Sequence, residues 1–187
     1  MVKARRHTQY DRIPRAFIKF LLLAAYHESS IDINNPGLVV GAKKGVFKIF
    51  TSDGWDDLGW QSIEHIAPQT KSLGWDQDIY NHDIIHCIGN LVALPPEANS
   101  LLNNNSWASK KAMYGALSAE TTEAAKEIIT TSGLKKTNKL EEITCSFHNP
   151  QLASLSMVDE WGVSIIEQRA ECLFSRAWDK IFSMLNY

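Results

Sequence analysis

In the stretch SIEHIAPQ, residues 62–69, a carboxylate and an imidazole stand side by side between apolar residues, and a proline follows three positions later. A neutral imidazole titrates near working pH and can take a proton from water. A carboxylate offers hard oxygens to a divalent cation. Neighbours on a strand point to opposite faces, so Glu64 and His65 share one site only where a strand ends or twists. Pro68 is placed to stop such a strand. Taken alone, His65 reads rather as a core histidine bonded to a backbone carbonyl, and Glu64 has the alternative of a solvated surface carboxylate. Further polar residues follow in order: Asn90, then Asn99 nine positions later, then Lys110 and Lys111.

These residues need elements to position them. Pro14 suits the first turn of a helix running to about His27, with Phe17, Leu21, Leu22 and Ala25 as its buried stripe. SSIDINNPG breaks it with turn formers. Residues 38–40 and 46–50 are apolar pieces, short strands or irregular packing. Residues 62–65 read as a strand. Residues 78–88 have helical spacing that Gly89 ends. Residues 90–94 read as a second strand, closed by Pro95 and Pro96. A helix starts near Pro96 and, across an asparagine cluster, another covers 106–117. Residues 120–131 and 156–185 read as helical, and 133–151 as a polar loop. The centre is therefore strand, long connection, strand, helix, flanked by helices: an α+β chain, mainly helical.

At this point the sequence resembles a known family. "IEHIAPQ…IGNLVALPPEAN…NNNSWASKKAMY" is similar to the HNH endonuclease domain that ends GmrSD-type modification-dependent restriction enzymes and related phage-defence nucleases. Four ordered pieces carry the likeness: EHIxPQ, GNLxxL, an asparagine five residues after that last leucine, and Asn-x-x-x-x-Lys downstream. It covers roughly residues 15–118 and is densest over 63–114. The resemblance implies a ββα-metal (HNH) core embedded in flanking helices. It implies His65 as general base and Asn90 as the residue that ties the connecting loop and orients the imidazole. Glu64 and Asn99 would be ligands of Mg²⁺ or Mn²⁺, and Lys110 and Lys111 would contact DNA phosphate. Asn90 reads otherwise as a turn residue, and Asn103, Asn104 or Asn105 as a replacement ligand for Asn99. Two departures stand out: Glu64 replaces a common Asp, and Asn99 sits where other members have His, a stronger ligand.

The expected function is metal-dependent hydrolysis of DNA phosphodiester bonds, as effector of a prokaryotic anti-phage or restriction system with a partner NTPase. The GmrSD proteins carry a nucleotide-hydrolysing region, and this chain shows no P-loop pattern. The alternatives are a non-catalytic nucleic-acid-binding or assembly module and an RNA-cleaving HNH nuclease. The expected division is a basic tail over 1–14, a nuclease core over 15–118 and a helical extension over 119–187.

Composition narrows the classes. With 187 residues, 44% hydrophobic, 21% charged and net charge −2, the chain has a sizeable core and no global positive field for nucleic acid. Cys87, Cys145 and Cys172 are far apart and form no CxxC pair, which argues against disulfide and cysteine–zinc frameworks. The most apolar stretch, residues 17–26, is too short to span a bilayer, and a cytoplasmic location is expected. His82 and His86 lie at i, i+4 without a third partner and read as one helix face. Trp55, Trp60, Trp75 and Trp107 read as core anchors rather than stacking platforms. Lys135, Lys136 and Lys139 read as a solvated charge cluster.

Overall fold

The structure is a computed structural model that describes residues 13–72, 74–81, 84–134 and 138–185. Helix α1, Arg15–Tyr26, begins after Pro14, whose carbonyl accepts from the Phe17 and Ile18 N–H groups. Ile18, Leu21, Leu22 and Ala25 form its buried stripe, at the spacing of one helical face. Phe17, expected in that stripe, is instead 48% exposed, because Ile18 one position on takes the inward place. Strands β1 (Ser29–Ile31) and β2 (Val39–Gly41) pair antiparallel beside it, and residues 42–50 are irregular.

Next comes the short helix α2, Ser52–Asp56, capped by the Thr51 hydroxyl accepting from the Gly54 N–H. A 3₁₀ turn, Leu58–Trp60, feeds β3, Ser62–His65. Strand β3 pairs antiparallel with β4, Leu91–Leu94, so that Glu64 opposes Val92 and His65 opposes Leu91. Helix α4, Pro96–Leu102, follows with proline at its first position, where no N–H is missed. Among the described residues between the strands, the connection holds one helical turn, α3 (Asp78–Asn81), and a 3₁₀ turn at Ile88–Asn90. The helix expected over 78–88 is thus corrected; its His82 and Asp83 lie outside the described residues.

Helices α5 (Trp107–Ser118) and α6 (Thr122–Thr131) carry hydroxyl N-caps from Ser106 and Thr121. Helix α7, Asn138–Ser146, occupies part of the expected polar loop. Among the side chains described there, Leu140 and Ile143 are the buried ones, too few apolar positions to betray a helix by pattern. A 3₁₀ turn, Pro150–Leu152, leads into α8, Ala153–Ser156, and the chain closes on the long helix α9, Val163–Leu185.

Helix α9 packs across α1 and the 3₁₀ turn before β4. Arg169, 1% exposed, binds them together: Nη1 donates to the carbonyls of Gly89 and Leu91, and Nη2 to the Tyr26 hydroxyl. Gly89 is needed for this contact rather than to end a helix. A β-carbon there would lie 1.9 Å from the Ile166 carbonyl oxygen. Among the described residues the fold is mainly helical with two small two-stranded sheets. Among the described residues no helix is long and apolar enough to cross a membrane.

Candidate active site

The open end of β3 carries the site. Beyond His65 the ladder stops: the Ile66 N–H donates to the Asn90 carbonyl at 2.8 Å, and the chain turns at Pro68. Asn90 is fully buried and clamps that turn. Its Oδ1 accepts from the Ala67 N–H (2.9 Å) and the Trp161 indole (3.0 Å), while Nδ2 donates to the Ala67 and Ile85 carbonyls. The side chain therefore joins the residues just after His65 to the far end of the connecting segment.

Glu64 and His65 are each 5% exposed, yet both line one pocket of about 890 Å³. Asn99, Asn103, Asn104, Gln69, Arg15 and Trp55 share its wall. Burial pushes the Glu64 carboxyl up to about 7, with Lys110 pulling the other way. Burial pushes the His65 imidazole down to about 3, because a second cation would be unfavourable in this buried place beside Lys110. The imidazole is thus neutral throughout the neutral range, the form that can accept a proton. Its Nε2 faces His86 Nδ1 at 3.3 Å and its Nδ1 faces Gln69 Nε2 at 3.2 Å. An amide nitrogen only donates, so Nδ1 is assigned as the acceptor and Nε2–H as the donor to His86.

Lys110 is not where a phosphate-binding residue should be. It is fully buried, with Nζ 2.5 Å from Glu64 Oε1 and 2.9 Å from the His65 carbonyl oxygen. Burial lowers its pKa and the Glu64 charge opposes that. Lys110 therefore braces the end of β3 from behind, and the structure places its amine in the interior and not at the surface where a phosphate contact was expected. Lys111 pairs at the surface with Asp159 (3.1 Å) and does not line the pocket, so the structure does not bring it to the site either.

Among the described residues that line the pocket Glu64 is the one carboxylate; the other side-chain oxygens there are amides and hydroxyls. Asn99 is half-buried; its Nδ2 donates to the Ser62 hydroxyl and, at 3.3 Å, to the Ile63 carbonyl, which leaves Oδ1 as the end available to a cation. Asn103 follows as the C-cap of α4, with φ 34° and its N–H on the Asn99 carbonyl. Among the described residues no three His, Cys, Asp or Glu side chains gather so as to hold a metal ion. A single carboxylate among neutral amide and hydroxyl oxygens, in a pocket open to water, fits Mg²⁺ or Mn²⁺ bound mostly by water and does not fit structural zinc.

Sequence reasoning missed Gln69 and His86 against His65, and the burial of Lys110. The last carried a signal. Trp107, Lys110, Met113, Tyr114 and Leu117 fall at i, i+3, i+6, i+7 and i+10, so Lys110 lies on the buried stripe of α5.

By family the chain is a restriction-endonuclease domain, a nuclease class. It belongs to the family described as GmrSD restriction endonucleases, C-terminal domain, whose sequence model matches residues 41–176. That match begins at the end of β2 and runs through most of α9. No curated protein matches the chain.

Proposed function

We propose that this domain is a metal-dependent HNH endonuclease that hydrolyses DNA phosphodiester bonds, with β3, β4 and α4 as its ββα-metal core. One observation carries the reading: a carboxylate and a neutral imidazole at one strand end open into the same polar pocket as Asn99. A divalent cation at Glu64 and Asn99 would supply charge neutralisation at the scissile phosphate. His65 takes the proton of the attacking water at Nδ1 once that water replaces the Gln69 amide, which shares the pocket wall, as the donor to this nitrogen. His86 fixes the tautomer by accepting from Nε2. Asn90 positions the imidazole by clamping the turn that follows it. Lys110 positions Glu64 and compensates its charge. A partner NTPase in a restriction or anti-phage system would supply control, since few cations face the pocket.

A second reading has one observation in its favour. Lys110 already occupies one Glu64 oxygen, as in a non-catalytic binding module that has no use for a metal. Plasmid nicking with Mn²⁺, with and without EDTA, separates the two readings. A nuclease nicks only with free metal, and a module leaves the plasmid intact in both.

A further inference from the structure

Four of the six tryptophans are spoken for by the core: Trp60, Trp75, Trp107 and Trp161 are each less than 10% exposed. Trp178 stands on α9 against Phe182, and does not line the pocket. Trp55 differs from all of them. It is 37% exposed, and it lines the pocket that holds Glu64, His65 and Asn99. Its place is fixed from three sides. Its N–H donates to the Thr51 carbonyl at 2.9 Å, and its carbonyl accepts from Lys19 Nζ and from Gln61 Nε2. Lys19 Nζ also lies 4.8 Å from the ring centroid. The five-residue α2 thus holds the Trp55 backbone at the edge of a polar cavity, with Lys19 over one face of an indole that lies largely outside the hydrophobic core.

We propose that Trp55 is a stacking platform for one nucleobase beside the Glu64–His65 pair, an inference that rests on the nuclease reading and narrows its substrate. Every base has a π face, so an indole platform binds without regard to sequence. In a duplex both faces of each base are covered by neighbours, and a base reaches such a platform only when unpaired, terminal or turned out of the stack. The near-complete burial of Glu64 and His65 makes the same demand. A phosphate on a splayed strand can enter the pocket, whereas a rigid duplex presents only its outer edge. The polar wall of Arg15, Thr70, Asn103 and Asn104 suits the sugar–phosphate on either side. The preferred substrate is therefore nucleic acid unpaired at or next to the bond that is cut, including the transiently opened stretches of a supercoiled plasmid.

The test is binding, read by fluorescence anisotropy in EDTA so that cleavage plays no part. The probe is a labelled oligonucleotide, single-stranded or annealed to its complement. The wild-type protein should hold the single strand more tightly than the duplex. Trp55→Ala should weaken single-strand binding by about tenfold and duplex binding by less than about twofold. Trp55→Phe should keep most of the affinity, and Trp178→Ala all of it. Wild-type single-strand affinity in Trp55→Ala overturns the proposal. So does equal loss on both probes, or failure of Trp55→Phe to restore binding. Parallel incubation of wild-type protein with Mn²⁺ and the same probes distinguishes the two levels. Stacking without any cleavage would overturn the nuclease reading alone.

Discussion

At the scale of single residues, burial decides the chemistry of the pair on β3. His65 stays neutral because charging it would place a cation in a nearly closed space beside Lys110 and His86. Glu64 is the group that titrates near neutrality, its carboxyl raised to about 7 by burial. The sign of the consequence is definite. Below that pH the carboxyl holds a proton, which must leave before a cation can bind, so metal affinity falls with falling pH. Mn²⁺ titrated calorimetrically should bind roughly tenfold more weakly at pH 6 than at pH 8. Asn99→Ala should weaken binding at both values. A flat pH profile, or weakening by Asn103→Ala in place of Asn99→Ala, would contradict the assigned ligands.

The same pair makes a stability prediction. Lys110→Met leaves the Glu64 carboxylate buried without its cation. The folded-state pKa of Glu64 then rises further above its unfolded value, so that stability is retained at acid pH and lost as pH rises through the raised pKa. Thermal melts should show a deficit of up to about 3 kcal/mol at pH 8 and a much smaller one at pH 5. A deficit larger at pH 5 would mean that Lys110 is held by something other than Glu64.

At the scale of elements, the site depends on a helix almost a hundred residues downstream of it. Helix α9 presses its backbone against Gly89, and Arg169 supplies donors to the carbonyls on either side of Asn90. Gly89→Ala should therefore force the helix away from the turn that orients β4. The expected cost is about 1–3 kcal/mol or more, read as a fall in melting temperature. An unchanged melt would show that the close approach relaxes without cost. What was legible in the sequence follows from the same packing. The strand ending at His65, its partner over 91–94 and the proline-started helix α4 were all readable, because alternation, turn residues and Pro96 are local signals. The short connection helix α3, the polar helix α7 and the outward turn of Phe17 were not, because contacts with distant elements decide them. Lys110 shows an intermediate case. Its helical spacing marked it as buried, and its charge argued the other way. The site was legible as a set of residue types, but its inner shell of Gln69, His86 and Lys110 becomes visible only once the chain is folded.

At the scale of the molecule, charge is the governing quantity. The chain carries a formal −2, and of its basic groups Lys110 is buried and Lys111 is paired with Asp159. Lys3, Arg5, Arg6, Lys135 and Lys136, and the side chain of Lys139, lie outside the described residues. Arg15 and Lys19 are the cations lining the pocket among those that are described. A surface able to neutralise two or three phosphates gives weak duplex binding with a shallow salt dependence. The isolated protein should bind duplex DNA in the non-specific range of roughly 10⁻⁴ to 10⁻⁶ M at near-physiological salt, and the proposed NTPase partner should increase cleavage markedly. Nanomolar duplex binding with a steep salt slope would remove the need for a partner.

The central claim is that His65 is the base of a metal-dependent nuclease, and plasmid nicking by wild-type protein and His65→Ala, side by side with Mn²⁺ and with EDTA, tests it most directly. The account predicts nicking by the wild type that EDTA abolishes, and a variant that melts as a folded protein yet cuts on the order of 10²-fold or more slowly. A well-folded His65→Ala that nicks at the wild-type rate, or a wild-type protein that leaves plasmid intact with Mn²⁺, would contradict it.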